Sequence, residues 1–191
     1  MSQNQKPQEQ KLSAATPLGF DAQAIPIHEI CHSQTKVAQH VLEPLALKSR
    51  FQNPPAWQPE ITDENRQVIA AGIIQNRQAA GKITQAAVLI PLLLKSDGLS
   101  VLLTQRTDHL HDHAGQISFP GGRMDPGDSS PNDTALRESE EEIGLDRQGV
   151  EVIGHLPQYL TVSGYSVTPV VGLVKPQAEY ALDAFEVADV F

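Results

Sequence analysis

An α/β fold around a mixed sheet is what this sequence predicts, and three observations predict it. Ala86-Ala87-Val88-Leu89-Ile90-Pro91-Leu92-Leu93-Leu94 is a continuous apolar run of strand length that ends at the turn Ser96-Asp97-Gly98. Ser130 to Gly144 carries the start and stop signals of a short helix. Beyond it, Val150 to Leu156 and Ser166 to Val174 are rich in β-branched residues and are separated by a turn at Ser163-Gly164. Strands on both sides of one helix imply a sheet of mixed direction.

Taken in order, residues 1–20 have the Gln-, Ser-, Pro- and Lys-rich composition of a disordered tail. A helical extension is expected over 21–84. In it, Val37, Val41, Leu42, Leu45 and Leu47 suggest a helix from Thr35 to Phe51 interrupted at Pro44. Asn53-Pro54-Pro55-Ala56-Trp57-Gln58-Pro59 then breaks regular structure, and a second helix is expected from Asp63 to Ala80. This part reads as packing and assembly, a homodimer being one assembly it could serve. The domain proper is placed at 85–191. The apolar run and Leu99 to Gln105 form a hairpin whose first strand is expected to be buried on both faces. Gly115 to Phe119 is a short strand leading into the glycine turn Gly121-Gly122.

The helix after that turn is marked at both ends. Ser130 can act as N-cap with Pro131 at the first helical position, Asp133 completes a capping-box-like Ser-x-x-Asp, and Gly144 can supply the left-handed stop. Helical spacing brings Glu138, Glu141 and Glu142 to one face, while Leu136, Ser139 and Ile143 point to a neighbouring, mostly apolar one. Three like charges packed together call for a cation. Hard oxygen donors suit Mg²⁺ or Mn²⁺, and Mg²⁺ commonly shares its shell between carboxylates, water and substrate phosphate. Metal-assisted phosphate chemistry follows.

These residues resemble the signature of the Nudix hydrolases: Gly, five residues, Glu, seven residues, then Arg-Glu-apolar-x-Glu-Glu-x-Gly-apolar. Gly122, Arg137, Glu138, Glu141, Glu142, Gly144 and Leu145 match. Asp128 stands where the general pattern has Glu, eight residues precede Arg137 instead of seven, and Ser139 fills the apolar slot. The shorter acid and the extra residue are common in the coenzyme A branch of that superfamily. The second motif of that branch is matched upstream by Leu102-Leu103-Thr104-Gln105-Arg106-Thr107, His111, Gly115 and Phe119-Pro120-Gly121-Gly122. Thr107 replaces Ser or Ala, and His111 replaces Arg, removing a fixed positive charge. Thr161 to Gly172 also looks like the family.

The resemblance implies an α/β/α sandwich. It implies that Glu138, Glu141 and Glu142, with the Gly121 carbonyl and Asp128, belong to a site for Mg²⁺ or Mn²⁺, and that Arg137 orients a ligating carboxylate. Glu138 is the expected base, with Glu186 as a candidate outside the signature. Arg106, His111, Gly115 and Phe119 belong to the substrate-recognition stretch. The implied reaction is hydrolysis of the diphosphate of coenzyme A or its thioesters to 3′,5′-ADP and 4′-phosphopantetheine or its acyl form. Two rivals stand beside it: a diphosphatase for another nucleoside diphosphate derivative, such as an ADP-sugar or dinucleotide, and a nucleotide-binding module without turnover.

Composition narrows the partners. The 191 residues suit one domain with extra terminal sequence, and 40% hydrophobic content suffices for one packed core. Fourteen basic against 23 acidic residues give a net charge of −9, which argues against nucleic acid or an anionic membrane as partner. Eight of the acids lie between Asp125 and Asp146, so a cation must reverse the local sign before a phosphate can bind. Cys31 is the only cysteine, which rules out an intramolecular disulfide. The start MSQNQKPQEQK lacks a signal-peptide core and no peroxisomal tripeptide ends the chain, so the cytoplasm is expected. The abrupt stop at Phe191 suggests an incomplete C-terminus. His109, His111 and His113 alternate as strand-borne metal ligands would, but Asp108 and Asp112 beside them read as an exposed loop.

Overall fold

The structure is a computed structural model and describes residues 37–54, 81, 83–110, 113–161 and 163–191. These residues belong to one compact unit, Thr35–Phe191. The expected tail, the helix from Asp63 to Ala80 and His111 lie outside them. Among the described residues, no helix is long and apolar enough to cross a membrane.

A 3-10 turn at Gln39–Leu42 precedes helix α1, Pro44–Gln52. Pro44 therefore starts a helix where an interruption was expected: at the first helical position its missing N–H has no intrahelical partner to lose. The hairpin is present as β1, Thr84–Lys95, and β2, Gly98–Val101, paired antiparallel. The chain then leaves that sheet at Leu102 and Leu103. It forms β3, Thr104–Arg106, which joins β4, Ile117–Ser118, and the later strand β9, Val187–Val190, in a second sheet ordered β4-β3-β9. Strand β5, Gly121–Arg123, returns to β1, and helix α2 spans Pro131–Ile143. The remaining strands are β6, Val150–His155, β7, Tyr159–Leu160, and β8, Tyr165–Val174.

The larger sheet runs β2-β1-β8-β6, with β5 on β1 and β7 on β8. Its centre is a parallel pair, from Thr84 opposite Tyr165 to Leu93 opposite Val174, while the other pairings are antiparallel. The mixed sheet is thus as expected. Strand side chains alternate between faces, and Ala87, Leu89 and Pro91 are the fully buried residues of β1. Ala87 and Leu89 share a core with Val170 and Val174 of β8 and with Ala135 and Ile143 of α2. From Ala86 to Leu94 the even-numbered residues of β1 are only half-buried, so burial on the two faces is unequal. On that second face lies α1: Lys48 pairs with Glu151 at 2.6 Å, and a Cβ on Gly154 would meet Phe51 at 2.6 Å. Helices on opposite faces of a mixed sheet make an α/β/α sandwich.

Both ends of α2 form as its residues dictate. The Ser130 side chain accepts from the Asp133 N–H at 3.3 Å, while Asp133 reaches one residue further back, to the N–H and hydroxyl of Ser129. Ser139, in the apolar slot, donates its buried hydroxyl to the Ala135 carbonyl at 2.7 Å, which satisfies it within the helix. Gly144 is left-handed at φ +65°. The segment before β9 then caps the last carbonyls: the Ala181 N–H donates to Ile143 at 3.1 Å and the Asp183 N–H to Glu142 at 2.9 Å.

A Cβ on Gly144 would stand 2.8 Å from the Ala181 Cβ in a backbone region L residues avoid. Gly144→Ala is expected to cost about 1–3 kcal/mol, read from urea denaturation midpoints at constant m-value.

Candidate active site

The glycine turn is pressed onto β1. The Leu89 N–H donates to the Pro120 carbonyl at 2.8 Å, and at Gly121, φ +150°, a Cβ would stand 2.4 Å from the Ala87 carbonyl oxygen. No side chain fits there, so the turn is bare backbone. Two carboxylates from α2 rest on it. The Gly121 N–H donates to Glu142 Oε2 at 3.1 Å, and a Cβ on Gly122 would lie 2.5 Å from the Glu138 carboxyl carbon.

Glu142 is only 6% exposed. Burial pushes its pKa up to about 7; the Gly121 N–H opposes that rise, the charges of Glu138 and Glu186 add to it, and Arg106 opposes it. Glu138 is also raised, chiefly by burial, against the neighbouring Arg137 and with help from Glu141 and Glu186. Glu186, the acid singled out beyond the signature, is thus near enough to act on both. It arrives on a turn hung from α2: the Asp183 N–H bonds the Glu142 carbonyl, the Glu186 N–H bonds Asp183 at 3.0 Å, and the Thr107 N–H bonds Glu186 at 3.0 Å.

Arg137 is the counterweight. Its Nε and Nη2 grip both oxygens of Asp128, at 3.0 and 2.9 Å; Nη1 reaches Glu141 at 2.8 Å and Glu138 at 3.0 Å; and Nη2 also donates to the Arg123 carbonyl at 2.9 Å. Asp128 accepts further bonds from Thr134 Oγ1 and the Asp125 N–H, both at 2.9 Å. The Arg137 guanidinium, ahead of these bonds, holds Asp128 far below the usual carboxylate range. Asp128, expected among the metal ligands, therefore faces Arg137 with both oxygens engaged. Its shorter side chain and the extra residue before Arg137 form a closed turn beneath the guanidinium. The signal lay in the departure from the pattern, but the nine-residue reach to Arg137 was not legible.

The recognition stretch is placed in part. Arg106 lies on β3, its Nε buried and without a partner among the described residues. Gly115 is left-handed at φ +68° in a turn where a Cβ would meet Asp108 Oδ1 at 2.9 Å, and Phe119 is half-buried. His109 and His113 sit in turns, with no strand to align them: His109 packs on Phe185 and His113 Nδ1 bonds Gln116 at 3.1 Å. Sequence reasoning did not single out Phe185 or Thr107 in these roles, because both act through contacts far along the chain.

Among the described residues, no three His, Asp or Glu side chains already form a closed ligand cage; Glu138 and Glu141 are turned onto Arg137. The donor set nevertheless fits a hard divalent cation. Glu138 and Glu142 are carboxylates driven toward protonation by burial and mutual repulsion, and added positive charge relieves both.

Because folded Glu142 binds its proton up to about pH 7 and an unfolded Glu releases it near 4.5, the folded state holds more protons between these values. Metal-free stability therefore falls as pH rises through that window, by on the order of 3 kcal/mol for this group. Urea denaturation in EDTA at pH 5 and pH 8 is expected to show the drop, and Glu142→Gln to remove most of it.

The NUDIX domain family model matches residues 83–188. A protein of Escherichia coli O7:K1 described as "Uncharacterized Nudix hydrolase NudL" is 50% identical over 107 residues, 56% of this chain and 55% of its own. Its counterpart in E. coli K12 DH10B gives the same figures. The chain spans about half the length of these relatives. A Nudix hydrolase structure from M. smegmatis, RenU, aligns over 56% of this chain and 68% of its own at 22% identity, with a TM-score of 0.49, a likeness that adds nothing to the assignment. With the glycine turn, Arg137, Glu138, Glu141 and Glu142 inside the matched segment, the chain belongs to the NUDIX domain family.

Proposed function

We propose that this site hydrolyses the diphosphate of coenzyme A or its thioesters to 3′,5′-ADP and 4′-phosphopantetheine or its acyl form. The observation that carries the chemistry is the seating of buried Glu142 and half-buried Glu138 on the bare backbone of Gly121-Gly122, with the charge of Glu186 acting on both. The coenzyme A class rests on the resemblance of Leu102 to Gly122 to the motif of that branch.

Glu138, Glu141 and Glu142, with the Gly121 carbonyl, are the proposed ligands for Mg²⁺ or Mn²⁺; Asp128 is reassigned to hold Arg137. When bound, the cation neutralises the diphosphate and makes bound water a nucleophile near neutral pH. The residues supply the rest. Arg137 fixes Glu138 and Glu141 in place by charge-assisted bonds. Glu138 takes the proton of the attacking water, Glu186 being the second candidate base. Attack on one phosphorus breaks its bond to the bridging oxygen, which leaves with the other phosphate, giving two monoesters. Arg106 and His111 meet the substrate phosphates, with Gly115 shaping the turn before β4 and Phe119 following that strand. Such an enzyme works on a small molecule in the cytoplasm.

A second reading, cleavage of an ADP-sugar or dinucleotide, is favoured by one observation: His111 stands where the coenzyme A branch has a fixed positive charge. Incubation with coenzyme A and Mg²⁺ or Mn²⁺, with and without EDTA, followed by mass spectrometry, separates the readings. Metal-dependent 3′,5′-ADP is expected. No release from coenzyme A, with an ADP-sugar cleaved, selects the second reading; tight nucleotide binding without turnover selects a binding module. Glu141→Gln and Glu142→Gln are each expected to lower kcat/KM at least about 100-fold with the fold retained by circular dichroism, and wild-type rates in both would overturn the ligand set.

A further inference from the structure

Phe185 is 64% exposed. Single exposed apolar side chains are ordinary on protein surfaces, but this one is neither loose nor remote. Its N–H donates to Asp183 Oδ1 at 2.9 Å and its carbonyl accepts from buried Thr107 Oγ1 at 2.7 Å. Asp183 hangs from the carbonyl of Glu142, and the residue after Phe185 is Glu186, whose carbonyl accepts from the Thr107 N–H. The ring is steadied from one side by His109, centroids 5.0 Å apart and planes tilted by 59°. A tilted contact of this kind engages a ring's edge or one face and favours one orientation of it. The result is an aromatic surface whose residue is held through its N–H, its carbonyl and its ring, open to solvent and one residue from an acid of the proposed centre.

We propose that Phe185, braced by His109, is the stacking platform for the substrate's nucleobase, a role that rests on the reading of the site as one for nucleoside diphosphate derivatives. A base has no charge to be repelled by the surrounding carboxylates, and its π-face is matched by a flat ring with little freedom to lose. The phosphates lie with Arg106 and the glutamates, and the base extends outward over the 183–186 turn. Selection by stacking does not depend on hydrogen bonds to base edges, so purines gain more than pyrimidines through their larger face.

The test uses the full chain. Phe185→Ala is expected to raise KM for coenzyme A, or for whichever nucleotide substrate is cleaved, roughly 5- to 150-fold with kcat little changed, Phe185→Tyr restoring it. The penalty disappears for a diphosphate ester that lacks a base. A KM for Phe185→Ala within about twofold of wild type overturns the platform, since one lost base contact exceeds that. A second measurement does not need turnover. In Phe185→Trp, adenosine monophosphate is expected to quench the new tryptophan and ribose 5-phosphate not to, with Trp57 as the common background in the wild type. Equal responses to the two overturn the proposal. Quenching by adenosine monophosphate in a protein that cleaves no diphosphate would leave the platform standing and remove the hydrolase reading instead.

Discussion

One guanidinium stands against five carboxylates in a corner of this molecule, and the geometry of the site follows from how it is shared. Arg137 gives its Nε–Nη2 edge to Asp128 and its Nη1 to Glu138 and Glu141. Planar, fixed donors allow one residue to do both, which a lysine could not. Asp128 is thereby kept ionised and the loop before α2 is tied down. Glu142 and Glu186 receive no bond from that guanidinium among the described residues. Burial raises the affinity of Glu142 for a proton and the charges of Glu138 and Glu186 add to it, while the Gly121 N–H and Arg106 offset the rise only in part.

That imbalance explains the surrounding architecture. A buried acid with a raised pKa weakens a fold at neutral pH, so the elements that hold it must be firm. The glycine turn is locked to the longest strand of the sheet, α2 packs into the main core, and the segment from Ala181 to Asp183 bonds the helix's last carbonyls. The same segment carries Glu186 and Phe185 to the rim. Structural capping of α2 and assembly of the site are one set of contacts.

The parts of this arrangement legible in the sequence are those set by short-range rules. Ser130, Pro131 and Gly144 mark α2 because caps depend on neighbouring residues, and the Ser96-Asp97-Gly98 turn marks the hairpin for the same reason. The face shared by Glu138, Glu141 and Glu142 follows from helical spacing alone. What was hidden depends on pairing across distance. Leu99 to Gln105 reads as one strand, yet its two halves serve different sheets, since hydrophobic alternation does not say which neighbour a strand will choose. Pro44 looks the same as a helix breaker and as a helix starter until its position is known. Asp128 has a carboxylate's chemistry wherever it sits; only the fold turns it toward Arg137.

The parallel pair at the centre of the larger sheet joins Thr84 to Tyr165, a separation of 81 residues, from 165 − 84. Between those strands in the chain lie the glycine turn and α2. During synthesis, β1 emerges with its hairpin partner long before β8 is made, and its apolar run waits with one edge unpaired. Long-range closure of this kind is slow, and an unpaired apolar strand edge invites association with other chains. The nascent polypeptide thus leaves this apolar strand edge unpaired over the translation of some eighty codons, the interval in which association with other chains competes with folding.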